Sequence, residues 1–157
     1  MKKILNILIG LTAAICLSCT KDEIVEVRYI APEVVGDWHL VMETCEGEEV
    51  AEKADVYLSI KSDGLFELFQ KSGSQTRYTL YTGTCHSDGN RLIGEYSDGT
   101  SWGSIYIVSF KDGKLILSTY DNMGKLTFEK KALSEEERSD ADLASRSSHN
   151  ENMTPIL

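Results

Sequence analysis

Residues 54–71 read ADVYLSIKSDGLFELFQK, and this stretch decides the fold. Val56, Leu58 and Ile60 alternate with Asp55, Tyr57, Ser59 and Lys61. That two-residue period belongs to a strand with one buried and one wet face. Asp63-Gly64 then interrupts the run, and such a pair tolerates the positive φ of a tight hairpin turn. The pattern resumes over 65–71, where Glu67 marks the outer face and Phe66, Leu68 and Gln70 the inner one. Strand, tight turn, strand: the unit is a β-hairpin.

The same punctuation recurs along the chain. Asp-Gly pairs stand at Asp88-Gly89, Asp98-Gly99 and Asp112-Gly113, and Lys71-Ser72-Gly73-Ser74 and Asp121-Asn122-Met123-Gly124 supply two further turns. Between them the sequence predicts eight strands, at 35–44, 54–61, 65–71, 76–84, 90–97, 102–111, 114–121 and 125–132. Trp38, Leu40 and Met42 share one face of the first; 102–111 has apolar groups on both parities. Every connection is short except 46–53, so each strand pairs with the next. An open meander would leave two unpaired edges, and closure removes them. The expectation is therefore an all-β, eight-stranded antiparallel up-and-down barrel; an immunoglobulin-like sandwich is the alternative.

Composition agrees with one globular domain: 157 residues, 41% apolar and 26% charged, with 12 glycines but 2 prolines. Sixteen basic residues face 25 acidic ones, a net charge of −9. That balance excludes a nucleic-acid partner, whose phosphates need clustered Lys and Arg.

The ends read differently. Lys2 and Lys3 precede an apolar run from Ile4 to Leu17, too short to span a bilayer and laid out as a secretory signal. Ser18-Cys19 at its end resembles a bacterial lipoprotein signal, which implies cleavage before Cys19 and acylation of that residue, palmitate being one such chain. Thr20-Lys21-Asp22-Glu23 resembles a signal that exports lipoproteins to the outer face of the outer membrane. Two or more acyl chains hold stably where one does not. Loss of Lys2 and Lys3 with no acid would take the net charge from −9 to −11, so the domain should stand off an anionic surface. The implied organisation is a signal peptide (1–18), a lipidated tether (19–34), the barrel (35–133) and a polar tail (134–157). In the tail, Ser134-Glu135-Glu136-Glu137 has the spacing of a capping box and predicts a short helix.

Gly36-Asp37-Trp38 at the head of the first strand, followed by eight meandering strands, resembles the lipocalin-like (calycin-type) barrels of bacterial cell-surface lipoproteins. The resemblance implies that Trp38 closes the bottom of the barrel beneath a basic side chain from the last strand. Lys130, on the parity of Leu126 and Phe128, is the residue in place, where the family usually has Arg. It also implies a small apolar ligand in the cup. An eight-stranded barrel is just wide enough to be filled by its own side chains or to hold one small molecule.

The cup should open at the pole opposite Trp38, with Met42, Gln70, Tyr78, Tyr96 and Trp102 as the candidate ligand-binding residues. Aromatic bodies with one polar tip suit ligands of mixed character. Glu46, Glu48, Glu49 and Glu52 at the rim disfavour anionic ligands. With Cys16 cleaved off and Cys19 acylated, Cys45 and Cys85 remain. An even count in an exported protein suggests a disulfide, whereas the barrel puts them at opposite poles, beyond the roughly 7 Å that a bridge allows. Cys85-His86-Ser87-Asp88 lacks the paired ligands of a zinc site. No oriented nucleophile and base appear. The expectation is a non-enzymatic, surface-anchored binding module with no metal or cofactor. A filled barrel that acts as an adaptor or inhibitor toward an unidentified protein is the alternative.

Overall fold

The computed structural model describes residues 29–51, 54–144 and 154–157. The signal segment, Cys19, the start of the tether and Glu52 lie outside the described residues. A 3-10 turn (Pro32–Val34) leads into β1 (Gly36–Cys45), β2 (Glu48–Glu49), β3 (Asp55–Ile60), β4 (Leu65–Lys71) and β5 (Thr79–Asp88). Then come β6 (Arg91–Tyr96), β7 (Tyr106–Lys111), β8 (Lys114–Thr119), β9 (Gly124–Lys130), α1 (Glu135–Ser139) and β10 (Asp142–Leu143).

Among the described residues, the eight strands β1, β3, β4, β5, β6, β7, β8 and β9 each pair antiparallel with the next, and β9 returns to β1. The ring is closed, as the short connections require, and no sandwich forms. All four Asp-Gly pairs lie at turns, and at Asp112-Gly113 both residues have positive φ (52° and 75°), the pairing that joins twisted strands most directly.

Three departures from simple alternation position the cup. Between Leu40 and Met42 the register of β1 on β9 slips by one residue. This β-bulge flips the parity beyond it. Met42 therefore points outward and is 42% exposed, and Glu43, opposite Leu126, takes the inward place. Next, β5 starts at Thr79 and runs to Asp88 rather than spanning 76–84. Its lower half pairs with β6, while Thr79 and Leu80 pair with β10, so the tail covers an edge that β6 leaves bare. Finally, β7 begins at Tyr106, not at residue 102. Residues 97–105 fold back instead, with Glu95 bridging Ser101 and the Trp102 amide donating to the Gly94 carbonyl (2.9 Å). That loop carries Trp102 inward, between β6 and β7, which share only two residue pairs.

The closed pole brings together Gly36, Trp38 and Lys130. Trp38 and Lys130 are direct cross-strand partners, and the Lys130 ammonium stands 5.4 Å from the indole centroid. Gly36 has φ +139°, and a Cβ there would fall 3.2 Å from Lys130 Cε. The backbone thus needs glycine, while the flexible end of Lys130 could yield the space. Ile30 and Val34, assigned from sequence to the tether, are buried against this pole.

The tail is shorter in helix and better held than its polarity predicts. α1 covers five residues, with the Ser134 hydroxyl accepting from the Glu137 amide at 3.3 Å. The Arg138 guanidinium lies 4.9 Å from the Phe69 ring and pairs with Glu67 (2.5 Å), on the outer wall of the barrel. Residues 154–157 are not a loose end: Leu157 is 3% exposed and belongs to the barrel core.

Candidate ligand cup

Strand direction places the open pole at the tops of β1, β4, β6 and β8. Three of the five candidates meet inside it. Gln70, on the inward parity of β4 with Phe66 and Leu68, is only 5% exposed. Tyr96 ends β6 opposite Gly83, with its ring edge-on to Phe66 at 5.6 Å. Trp102 packs edge-on to Phe66 (5.1 Å) and Tyr106 (6.0 Å). Beneath them lie Leu40, Leu58, Leu68 and Leu117, all buried. Together they form an apolar interior with polar tips toward the open pole, and Leu157 packs into the same cluster.

Met42 and Tyr78 are not part of it. The bulge turns Met42 out. Tyr78 precedes β5, and because Thr79 sits opposite the inward Gln70, Tyr78 falls on the outer wall with Phe69 and Leu133. There its hydroxyl donates to Asp55 Oδ2 (2.5 Å), and His39 Nε2 lies 3.0 Å from Asp55 Oδ1. Burial works to raise the Asp55 pKa, but the bonds from Tyr78 and His39 outweigh it and hold the carboxyl below its usual value. Tyr78 is pushed up by burial and then by Asp55. Ala141 of the tail packs against Phe69, Tyr78 and Leu133 on the same wall.

Residues the sequence reading missed complete the cup: Tyr106, Tyr81 and the segment 154–157. The Gln70 side-chain amide donates to the Thr154 carbonyl (3.2 Å) and accepts from the Ile156 amide (3.0 Å). The Tyr96 hydroxyl donates to the Leu157 carbonyl oxygen (2.8 Å), and the Tyr106 hydroxyl to the Ile156 carbonyl (3.4 Å). Trp102 Nε1 is buried with no partner among the described residues.

Cys45 is exposed and Cys85 buried, and no disulfide joins them; the barrel reading, not the even count, decides against a bridge. Cys85 and Ser87 take the inward parity of β5, opposite Gly94 and Leu92. The local Cys-His-Ser-Asp run is thereby split between the two faces of the sheet.

Burial raises the Tyr106 pKa to about 12, with the Glu43 charge adding to the effect, and burial also raises Tyr96. An unfolded tyrosine ionises near 10. The folded state should thus keep its full stability below about pH 10 and lose it as pH rises toward about 12, because only the unfolded chain releases those protons there. Urea midpoints measured across that window should fall for the unaltered chain. They should fall less for Tyr106→Phe; an identical slope would contradict the burial of this hydroxyl.

A family model described as a lipocalin-like domain matches residues 34–117. Among solved structures, the chain is similar to a lipoprotein YedD from Klebsiella pneumoniae subsp. pneumoniae MGH 78578, at 16% identity and a TM-score of 0.46, over 72% of this chain and 86% of that one. It is also similar to a DUF4847 family protein from Bacteroides vulgatus ATCC 8482, at 16% identity and a TM-score of 0.45, over 63% and 94% of the two chains. A REP1-NXSQ fatty acid transporter aligns at 20% identity with a TM-score of 0.38, over 66% and 100%. No curated protein matches the chain.

Proposed function

The chain belongs to the lipocalin-like domain family, and from that premise we propose that it is a lipid-anchored, non-enzymatic module that binds a small apolar or amphipathic molecule in the open pole of its barrel. The observation that carries this reading is the apolar interior at the open pole with three polar side chains over it. Gln70, Tyr96 and Tyr106 turn hydrogen-bonding groups over an apolar floor, and none of their bonds given above is to another of the three. Such an arrangement gains affinity from apolar burial and orientation from a few polar contacts. The same tips hold and orient; among the described residues none is paired with a base as a nucleophile would be.

The anchor belongs to the same proposal. Ser18-Cys19 supplies the acylation site, and Lys21-Asp22-Glu23 directs the protein to the cell surface across the outer membrane. A net acidic domain on such a tether stands off an anionic surface. The adaptor alternative draws support from one observation, that the cup's visible occupant is a peptide segment.

The test has two readouts. The neutral fluorophore N-phenyl-1-naphthylamine should bind the purified protein saturably and quench its tryptophan emission. Tyr96→Ala should weaken that binding by roughly tenfold, the scale of one buried hydrogen bond. In cells fed labelled palmitate, the protein should take up label and Cys19→Ala should not. Absence of saturable binding both to the unaltered chain and to one with residues 154–157 displaced by Ile156→Asp and Leu157→Asp defeats the ligand reading; label on the Cys19→Ala protein defeats the anchor.

A further inference from the structure

We infer that the cup's ligand is an extended peptide segment bearing adjacent branched aliphatic side chains, and that residues 154–157 occupy its place within the same chain. This rests on the ligand-binding reading above and narrows its chemistry. The argument starts from Gln70. Its side-chain amide has one donor end and one acceptor end, and both are used: Nε2 on the Thr154 carbonyl at 3.2 Å and Oε1 on the Ile156 amide at 3.0 Å. Gln70 therefore brackets Pro155, whose nitrogen has no hydrogen to offer, and pairs with the backbone on either side of it. A ligand that presents a carbonyl and an N–H at peptide spacing satisfies both ends.

The remaining groups agree. Tyr96 and Tyr106 both donate to backbone carbonyls, those of Leu157 and Ile156. Leu157 inserts among the core side chains. Trp102 Nε1, buried and unpartnered among the described residues, is one more donor facing this interior. Donors thus outnumber acceptors, which suits a run of carbonyls. A hydrocarbon or an ionised fatty acid has no N–H and leaves Gln70 Oε1, on a residue only 5% exposed, without a partner. A buried acceptor stranded in this way weakens binding by roughly tenfold to a hundredfold.

The experiment uses the full chain with the segment evicted by Ile156→Asp and Leu157→Asp together. Two probes are titrated calorimetrically: the blocked peptide acetyl-Thr-Pro-Ile-Leu-amide, and decanoate. The peptide should bind the evicted variant saturably. It should bind the unaltered chain at least about tenfold more weakly, because a tethered competitor acts at an effective concentration on the order of millimolar. Adding Gln70→Leu to the evicted variant should cost the peptide about tenfold and should not weaken decanoate, whose stranded acceptor it removes. If decanoate binds and the peptide does not, or if Gln70→Leu weakens both alike, the peptide assignment is overturned while the small-molecule reading stands. If neither binds, both fall. Should the double variant fail to fold, hydrogen exchange decides. The Ile156 amide should be protected in the unaltered chain and exchange at least about tenfold faster in Gln70→Leu; equal rates overturn the proposal.

Discussion

Gly94→Ala is expected to destabilise the barrel by about 3 kcal/mol, at the upper end of what overpacking costs. A Cβ at this position would lie 2.2 Å from Trp102 Cε2, 2.4 Å from Cδ2 and 2.6 Å from Cζ2. The neighbour is the flat of an indole rather than the far end of a flexible chain. That ring is held by Phe66 on one side and Tyr106 on another, at 5.1 and 6.0 Å between centroids. It cannot tilt away without leaving the core. An alanine at Gly94 must therefore evict Trp102 or push β6 from β5, and losing a buried tryptophan costs about 3–5 kcal/mol. Gly73→Ala is the control, because nothing lies within 4 Å of the added carbon. It should stay within about 0.5 kcal/mol of the parent. Urea unfolding followed by far-UV circular dichroism measures both, and tryptophan emission should shift to the red in Gly94→Ala alone. If Trp102 is the obstacle, Gly94→Ala should cost far less in a Trp102→Ala background, and the double-mutant cycle reads that coupling directly. Equal costs at Gly94 and Gly73 would show that the indole does not lie where the cup requires it.

Gly94 also shows what sequence reading could and could not reach. The hairpin of β3 and β4 was legible because a two-residue period either side of Asp63-Gly64 has one physical interpretation. Closure was legible from connection length alone. The parity of Met42 was not. The bulge at Val41 adds one residue inside an alternating run with no Gly or Pro to mark it, so the pattern reads through it unbroken. Tyr78 failed for a related reason. Its neighbours favour a strand, yet the inward parity of β5 is set by Thr79 facing Gln70, a pairing that local sequence does not contain. The sequence reads Trp102 as inward within a strand; a returning loop puts it there instead. Least visible was the segment 154–157. A polar stretch such as 134–153 reads as a loose tail on average composition, and the average hides Ile156 and Leu157. The bond that fixes them joins residues 86 positions apart. Such a contact leaves no periodic trace, only a hint: a glutamine on the buried parity of β4 must find partners somewhere.

Trp38→Ala is expected to cost about 3–5 kcal/mol, the range for emptying a large aromatic site in a core, and the comparison with Lys130 says which force closes the barrel. Trp38 is 3% exposed, and its Nε1 donates to the Val34 carbonyl at 2.9 Å. Truncation empties a volume bounded by Phe110, whose ring centroid is 6.2 Å away, and strands the Val34 carbonyl in the floor, worth a further 1 kcal/mol or so. Lys130 is exposed, with its ammonium 5.4 Å from the indole centroid. A cation at that distance and exposure contributes only about 0.5–1 kcal/mol, so Lys130→Ala should lower the urea midpoint slightly. Lys130→Arg should restore it, since a planar guanidinium stacks better on indole. Trp38→Phe separates the two contributions of the ring, keeping most of the apolar body and losing the Val34 bond, and should fall between the two alanine variants. Far-UV dichroism in urea ranks all four. The order Trp38→Ala, Trp38→Phe, Lys130→Ala, from most to least damaging, follows if the pole is sealed by apolar burial with the charge laid over it. Should Lys130→Ala prove as damaging as Trp38→Ala, the seal is electrostatic, and its strength would then fall with added salt.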